Sequence, residues 1–507
     1  MQKAGSILKA NWMRPLRSTH STTGFENGAS IPEKRVFTKG IRIDNSYTHQ
    51  GGSMAEKLKK SLLYTYGIGD LCFTMLVCME VYYFTLFLTD YAQFSMGTCN
   101  IIVYATGAGD IVFAFLAGVI LQRVSFKFGG QFRSWLVITP PLVVLLFLFQ
   151  FSKIGGEALA ATLIIVGFLA SHLFWNVGYG AIGGLMGSIT QDPDERTILS
   201  SSRAQGQSAG NLLFSPASKM VPFFTASSLG FIYGFSVSIL ILGLLMMAGY
   251  FYLYKMSAAS KTIESDTAPA ETAAPDKKSV GEMVGVVFRN PPLLCLMIAE
   301  IFRNTCLFFI LSFAPYYFNN VLKNEGFLWI FILANGIGTL LGAFAAPWIG
   351  VKMGKRHSYG LACLISGLAY FSVAFIEPNS WSFTIIFSAG AMIASASQAM
   401  TTALFVDTSV YGEWKTGKNI LGFTMSMMML PLKFGILAGR GILITGLAII
   451  GYVVGAAEQT LEVANGISAI MIYTSAITSI LAAIIFYMGY RIGEKDIVRM
   501  QDELAAR

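Results

Sequence analysis

Charge is scarce in this chain. Only 13% of its 507 residues are Asp, Glu, Lys or Arg, and it has four histidines. A metalloenzyme needs His, Cys or carboxylates gathered at ligand spacing, and no such cluster is present in the sequence. The six cysteines, Cys72, Cys78, Cys99, Cys295, Cys306 and Cys363, all fall in apolar stretches and read as small core residues. There is no Gly-rich loop ending in Lys-Ser or Lys-Thr, which argues against an ATP-driven pump. The net charge of +8 lies in the first 53 residues and in short loops, so no nucleic-acid surface is expected. Residues 1–53 also lack an apolar core segment and a small-residue cleavage pattern, so they are not a signal peptide.

What the chain does have is apolar length. Hydrophobic residues make up 54% and mean hydropathy is +0.59. About twelve stretches approach the roughly 20 apolar residues that a helix needs to cross a bilayer about 30 Å thick. They lie at 62–88, 98–121, 135–152, 159–187, 205–227, 230–254, 292–321, 326–349, 358–376, 381–406, 419–447 and 467–490. Lipid solvates helices that are apolar all round, whereas a soluble core of this size cannot bury so many. The expected class is an all-α integral membrane protein embedded in a lipid bilayer.

Basic residues alternate between gaps. Arg123, Lys127 and Arg133 follow span two, Arg196 and Arg203 follow span four, and Lys352, Lys355 and Arg356 follow span eight. The intervening gaps hold little basic charge beyond Lys153 and Lys323. The positive-inside rule then predicts a multi-pass protein of the inner (plasma) membrane with both termini cytoplasmic. The expected organisation is a polar leader over 1–53, a six-helix bundle over 54–254, a linker over 255–290, a second bundle over 291–490 and a tail over 491–507. Met54 follows Gly51-Gly52-Ser53, and it is the expected native start. The halves echo each other: Tyr82-Tyr83-Phe84 near the end of span one matches Tyr316-Tyr317-Phe318 near the end of span seven. Acidic-basic turns follow spans four and ten. Two six-helix halves are the layout of a rocking transporter with its site between them.

Four stretches carry a family resemblance. They are Tyr66-Gly67-Ile68-Gly69-Asp70, Phe128 to Trp135, Thr190-Gln191-Asp192-Pro193-Asp194-Glu195-Arg196-Thr197, and Tyr411-Gly412-Glu413-Trp414-Lys415-Thr416-Gly417-Lys418. The chain resembles the glycoside–pentoside–hexuronide:cation symporters of the major facilitator superfamily, the family of the melibiose permease. The resemblance implies a major facilitator-type fold of about twelve transmembrane helices in two six-helix bundles. It implies uptake of a sugar or glycoside driven by H⁺ or Na⁺, with no cofactor, in a monomer. It places Thr74, Tyr179, Arg203, Gln398 and Lys433 at the substrate positions. Asp110 stands at the first acid of the family's cation site, but Ala114 and Phe113 replace the second acid and its Asn neighbour.

A charge at membrane depth is expensive and marks function or a paired partner. Asp110 is the expected coupling residue, as a proton carrier or as one ligand of a transported Na⁺; Glu80 and His172 are the alternative proton carriers. Lys433 and Arg440 share a face of helix eleven. With Arg203 they either form a cationic cluster for an anionic sugar such as a glucuronide, hexuronate or sulfonated sugar, or Lys433 pairs with Asp110 and Arg440 snorkels to an interface. Glu300 and Arg303 sit at i,i+3 and neutralise one another. Asp192, Glu195, Arg196, Glu413 and Lys415 form the expected cytoplasmic gate. A carrier of amphipathic solutes such as lysolipids, steroids or aryl glycosides is the competing function, favoured by the Phe- and Met-rich helices. No enzymatic activity is expected.

Overall fold

The computed structural model describes residues 58–126, 128–190, 193–226, 230–258, 288–417, 424–425, 427–456 and 458–506. The leader, most of the linker and Asp192 lie outside the described residues. Twelve long helices follow: α1 (Ile68–Leu86), α2 (Met96–Arg123), α3 (Trp135–Gln150), α4 (Glu157–Ile189), α5 (Pro193–Ala217), α6 (Phe231–Ser257), α7 (Pro291–Tyr316), α8 (Leu328–Met353), α9 (Lys355–Ser372), α10 (Ser380–Thr416), α11 (Met429–Ile449) and α12 (Leu461–Gly489). A shorter helix, α13 (Glu494–Ala505), lies in the tail. Ser95, Asn290, Asn379 and Thr460 cap α2, α7, α10 and α12 by accepting backbone N–H bonds, which marks each helix start in the sequence. Gly354, at φ +79°, turns α8 directly into α9.

Eleven described helical segments are long and apolar enough to cross a membrane, and α5 is not among them. It carries Arg203, Gln205, Gln207, Ser208 and Asn211, so it belongs in a protein interior rather than against lipid. Its limits differ from the expected span 205–227: the helix begins at Pro193 and ends at Ala217, and a separate turn, Met220–Thr225, follows. The two expected acidic-basic turns are likewise helical. Glu195 and Arg196 lie in the first turns of α5, and Glu413 and Lys415 in the last turn of α10. Hydropathy reports the depth of lipid, and a helix continues past that depth as long as its backbone bonds can form.

The halves repeat. The most extensive packing in the first half joins α1 to α5 and α6, α4 to α2 and α3, and α3 to α6. The second half has the same pairs six helices later: α7 with α11 and α12, α10 with α8 and α9, and α9 with α12. A π-helical turn extends α1 at Phe87–Tyr91 and another extends α7 at Tyr317–Val321. Among the described residues, the non-glycine residues with positive φ are Gln93 and Lys323. Both pairs of features are 230 residues apart (317 − 87 and 323 − 93). This register corrects one sequence expectation. Tyr82-Tyr83-Phe84 and Tyr316-Tyr317-Phe318 are 234 apart, so they are not equivalent positions. Composition repeats at that depth because both segments pack aromatics, but the backbone sets the true register.

The end carrying the starts of α1, α5 and α7 and the end of α10 is called the terminal end, and the opposite end distal. The largest apolar core crosses from the first half into the second and includes Phe84, Phe87, Phe313, Tyr316 and Leu447. The terminal part of the second half keeps its own core around Leu296, Tyr359, Phe405 and Phe486. Between described residues, every hydrogen bond and ion pair joining the halves lies at mid-depth or distally. Tyr316 Oη meets Thr89 Oγ1 at 2.7 Å, Tyr452 Oη donates to Asp90 at 2.6 Å, and Ser215 Oγ donates to the Trp329 carbonyl at 2.6 Å. Among the described residues, the bonds that join the halves therefore lie at mid-depth and toward the distal end.

Candidate functional site

The site begins with close backbone contact. A Cβ on Gly206 of α5 would stand 2.0 Å from the Gly67 carbonyl oxygen, so only glycine lets α5 approach the start of α1. That approach puts Arg203 on Asp70, which is fully buried. The pair is bidentate, with Nε and Nη2 donating at 2.9 and 3.0 Å. Gln207 Nε2 reaches both Asp70, at 3.3 Å, and the Tyr179 hydroxyl, at 3.2 Å. The guanidinium lies 5.1 Å from the centre of the Tyr179 ring. Thr74 is buried at the α1–α5 contact, where a Cβ on Gly210 would be 2.8 Å from its own Cβ.

Next in depth, the halves touch through charge. Lys433 of α11 donates to Asp110 Oδ2 of α2 at 2.7 Å and to Asn176 Oδ1 of α4 at 3.3 Å. Asn176 Nδ2 donates to Asp110 Oδ1 at 3.1 Å, which closes the ring of three. The Lys433 and Asp110 side chains are 15% and 9% exposed, so the pair is sheltered but reachable. Two turns further along α11, Arg440 Nη2 donates to Glu80 Oε1 at 2.7 Å. His172 Nε2 lies 3.3 Å from Glu80 Oε2. Within the second half, Arg303 is bidentate on Glu300 at 3.0 and 2.8 Å, and Thr401 Oγ1 donates to the same carboxylate.

The four inward bases, Arg303 and Arg440 buried and Arg203 and Lys433 half-buried, thus each have a carboxylate. The cationic cluster of Arg203, Lys433 and Arg440 is not free in this conformation. A buried charge that loses its partner costs several kcal/mol, which favours holding each base in a neutral pair. Lys433 takes the Asp110 pairing, whereas Arg440 does not snorkel but turns inward onto Glu80. Gln398 has no hydrogen bond among the described residues to Arg203, Lys433 or Arg440. It lines a small pocket inside the second half with Arg303, Asn335, Thr339 and Ser395. Three of the expected gate residues make bonds inside their own halves. Glu195 accepts from the Leu58 N–H at 3.0 Å and from Thr190 at 2.6 Å, Arg196 donates to the Thr190 and Gly187 carbonyls, and Lys415 donates to the Arg289 carbonyl. Asn176 and Gln207 were not expected from the sequence. Asn176 lies one turn after His172 on α4, and that i,i+4 spacing is the signal that could have found it.

A paired seam of charge between two six-helix repeats suits a mobile carrier rather than a catalyst. The family model described as MFS/sugar transport protein matches residues 65–494. The chain belongs to this family. The MFS sugar transporters of the glycoside–pentoside–hexuronide type share its layout, and the loop motifs had pointed to them. A putative sulfoquinovose importer of Salmonella typhimurium is 26% identical, covering 87% of this chain and 92% of its own. The glucuronide carrier protein homolog of Escherichia coli is also 26% identical, covering 82% of this chain and 89% of its own. A bacterial homolog of the human lysosomal transporter Spinster has the same fold, with a TM-score of 0.62 and 13% identity over 86% of this chain and 97% of its own. This MFS protein is a multi-pass membrane transporter of sugar-type solutes and not an enzyme.

Proposed function

We propose that the protein imports an anionic sugar or sugar derivative, a sulfonate or carboxylate, together with a cation. The observation that carries this reading is the Lys433–Asp110–Asn176 ring bridging the halves. A solute anion can replace Asp110 as the partner of Lys433 through a charge-assisted hydrogen bond. The released carboxylate then takes a proton or Na⁺, so no unpaired charge is left inside the membrane. Solute and cation enter together because each alone leaves a buried charge without a partner. The names of the two relatives, a sulfoquinovose importer and a glucuronide carrier homolog, support anionic solutes.

The transport step is alternating access. The basic terminal end faces the cytoplasm by the positive-inside rule, with both termini there, in the plasma membrane. The arrangement described above is then open to the cytoplasm and closed outside. Glu195, Arg196, Glu413 and Lys415 draw together when the halves rock the other way.

A competition series of a hexose, its uronate and its sulfonate against uptake tests the reading. The anions should compete at least tenfold better, and Lys433→Gln should weaken the anions more than the hexose. The complete pairing of the four inward bases favours a second reading, a neutral or amphipathic solute. Equal competition by the neutral sugar, with Lys433→Gln harmless to the anions, would select it.

A further inference from the structure

Glu80, His172 and Arg440 play no part in the exchange at Lys433. We propose that Glu80 and His172 hold one dissociable proton between them, and that Arg440 from the opposite half governs how tightly it is held. The hydrogen-bond inventory carries the argument. His172 Nδ1 lies 3.0 Å from the Phe168 carbonyl oxygen. A carbonyl only accepts, so Nδ1 carries hydrogen. The other ring nitrogen, Nε2, lies 3.3 Å from Glu80 Oε2, and the two side chains are only 6% and 7% exposed. A bare Nε2 would set two lone pairs against each other in a dry site. Among the described residues Glu80 Oε2 is buried with no hydrogen-bond partner, its nearest cationic group being the His172 ring, while Arg440 Nη2 is on Oε1. A proton between Nε2 and Oε2 removes the conflict, and it belongs to the pair rather than to either residue. The ring also stacks on Phe168, with centroids 3.8 Å apart, and on Trp175 at 5.4 Å, faces that favour a cation.

The surroundings leave Arg440 as the controlling charge. From α2 and α11 the site faces Asp110 and Lys433, which neutralise each other. On α1 and α5, Asp70 and Arg203 are paired, and on α7 Glu300 and Arg303 are paired. On α3 there is no titratable side chain. Arg440 arrives on α11, so its guanidinium reaches Glu80 only while the halves are joined distally. Its positive charge then opposes the shared proton. When the halves part distally, Arg440 withdraws and the proton is held more tightly. Acid on the distal side therefore favours opening there. This last step rests on the alternating access proposed above, whereas the shared proton does not depend on the solute.

The test is the protonation of His172 in the purified full-length protein, with no solute added, read from isotope-labelled histidine by NMR. The other histidines are His20, His49 and His357, and His172→Gln assigns the signal. His172 should show hydrogen on both Nδ1 and Nε2, with the Nε2 hydrogen directed at Glu80. Glu80→Gln should weaken proton binding at His172 at least tenfold, and Arg440→Gln should strengthen it by a similar factor. If Glu80→Gln does not fold, Arg440→Gln decides alone. A ring with hydrogen on one nitrogen alone, unmoved by either substitution, overturns the proposal and leaves the three residues as structural partners. Because no solute enters the measurement, that failure is separate from a failure of the anion reading.

Discussion

Removing one partner of the Asp110–Lys433 pair should do more harm than removing both. The Nζ–Oδ2 distance is 2.7 Å and the side chains are 15% and 9% exposed. Breaking a buried pair from one side costs about 3–5 kcal/mol. The partial exposure of Lys433 and its second bond to Asn176 reduce this to roughly 2 kcal/mol, a factor of about 30 in population. The pair joins α2 to α11, so the loss falls on the conformation in which they touch rather than on the folding of either half. Asp110→Asn and Lys433→Gln should each depopulate the terminal-open arrangement. The double substitution should restore it to within about 1 kcal/mol, because a neutral amide pair needs no compensation. Spin labels at Tyr64→Cys and Met429→Cys, exposed and on opposite halves, would report the distance distribution in a background without the six cysteines. Single substitutions that leave the distribution unchanged, or a double that shifts it by the sum of the singles, would refute the reasoning.

Asp110→Asn should also abolish accumulation while sparing solute exchange; unchanged accumulation removes Asp110 from the coupling mechanism. Uptake against imposed pH and Na⁺ gradients should show proton coupling or weak Na⁺ dependence, since Ala114 stands where the family has a second acid; strict Na⁺ dependence without a pH response would contradict this. Gly206→Leu should prevent stable expression, because its side chain would start 2.0 Å from the Gly67 carbonyl oxygen; normal yield and normal uptake would show that α1 and α5 need not touch. Arg203→Gln should lower the melting temperature sharply and Asp70→Asn/Arg203→Gln should recover part of the loss; equal melting of the single and double variants would deny that the pair is the cause. A chain starting at Met54 should insert and transport like the full one, and loss of expression on that truncation would assign the leader a role.

Much of the architecture was legible in the chain because lipid imposes a one-dimensional rule. A helix must satisfy its backbone internally and present about 20 apolar residues, so the spans, the two halves and the family loops can all be read off in order. The rule fails where a helix is shielded from lipid. Polar α5 therefore lies offset from the span that its apolar residues mark, and the charged ends of α5 and α10, which read as turns in the sequence, are helical. The same limit hid the register of the repeat, which is set by two π turns and two positive-φ residues rather than by the repeated aromatics.

The candidate site was legible as a set of residues and not as a set of pairs. Asp110, Lys433, Glu80, His172 and Arg440 stood out because ionisable groups are costly at membrane depth. Which base meets which acid depends on how α11 of one half lies against α1, α2 and α4 of the other. Those contacts join positions more than 250 residues apart, and no spacing rule reaches that far. The sequence by itself determined that the protein lives in a bilayer, in two repeated halves, with a few charges inside. Only the tertiary structure decided that these charges are held in pairs, two across the seam and two within a half, because a Coulombic partner is chosen by distance in space and not by position along the chain.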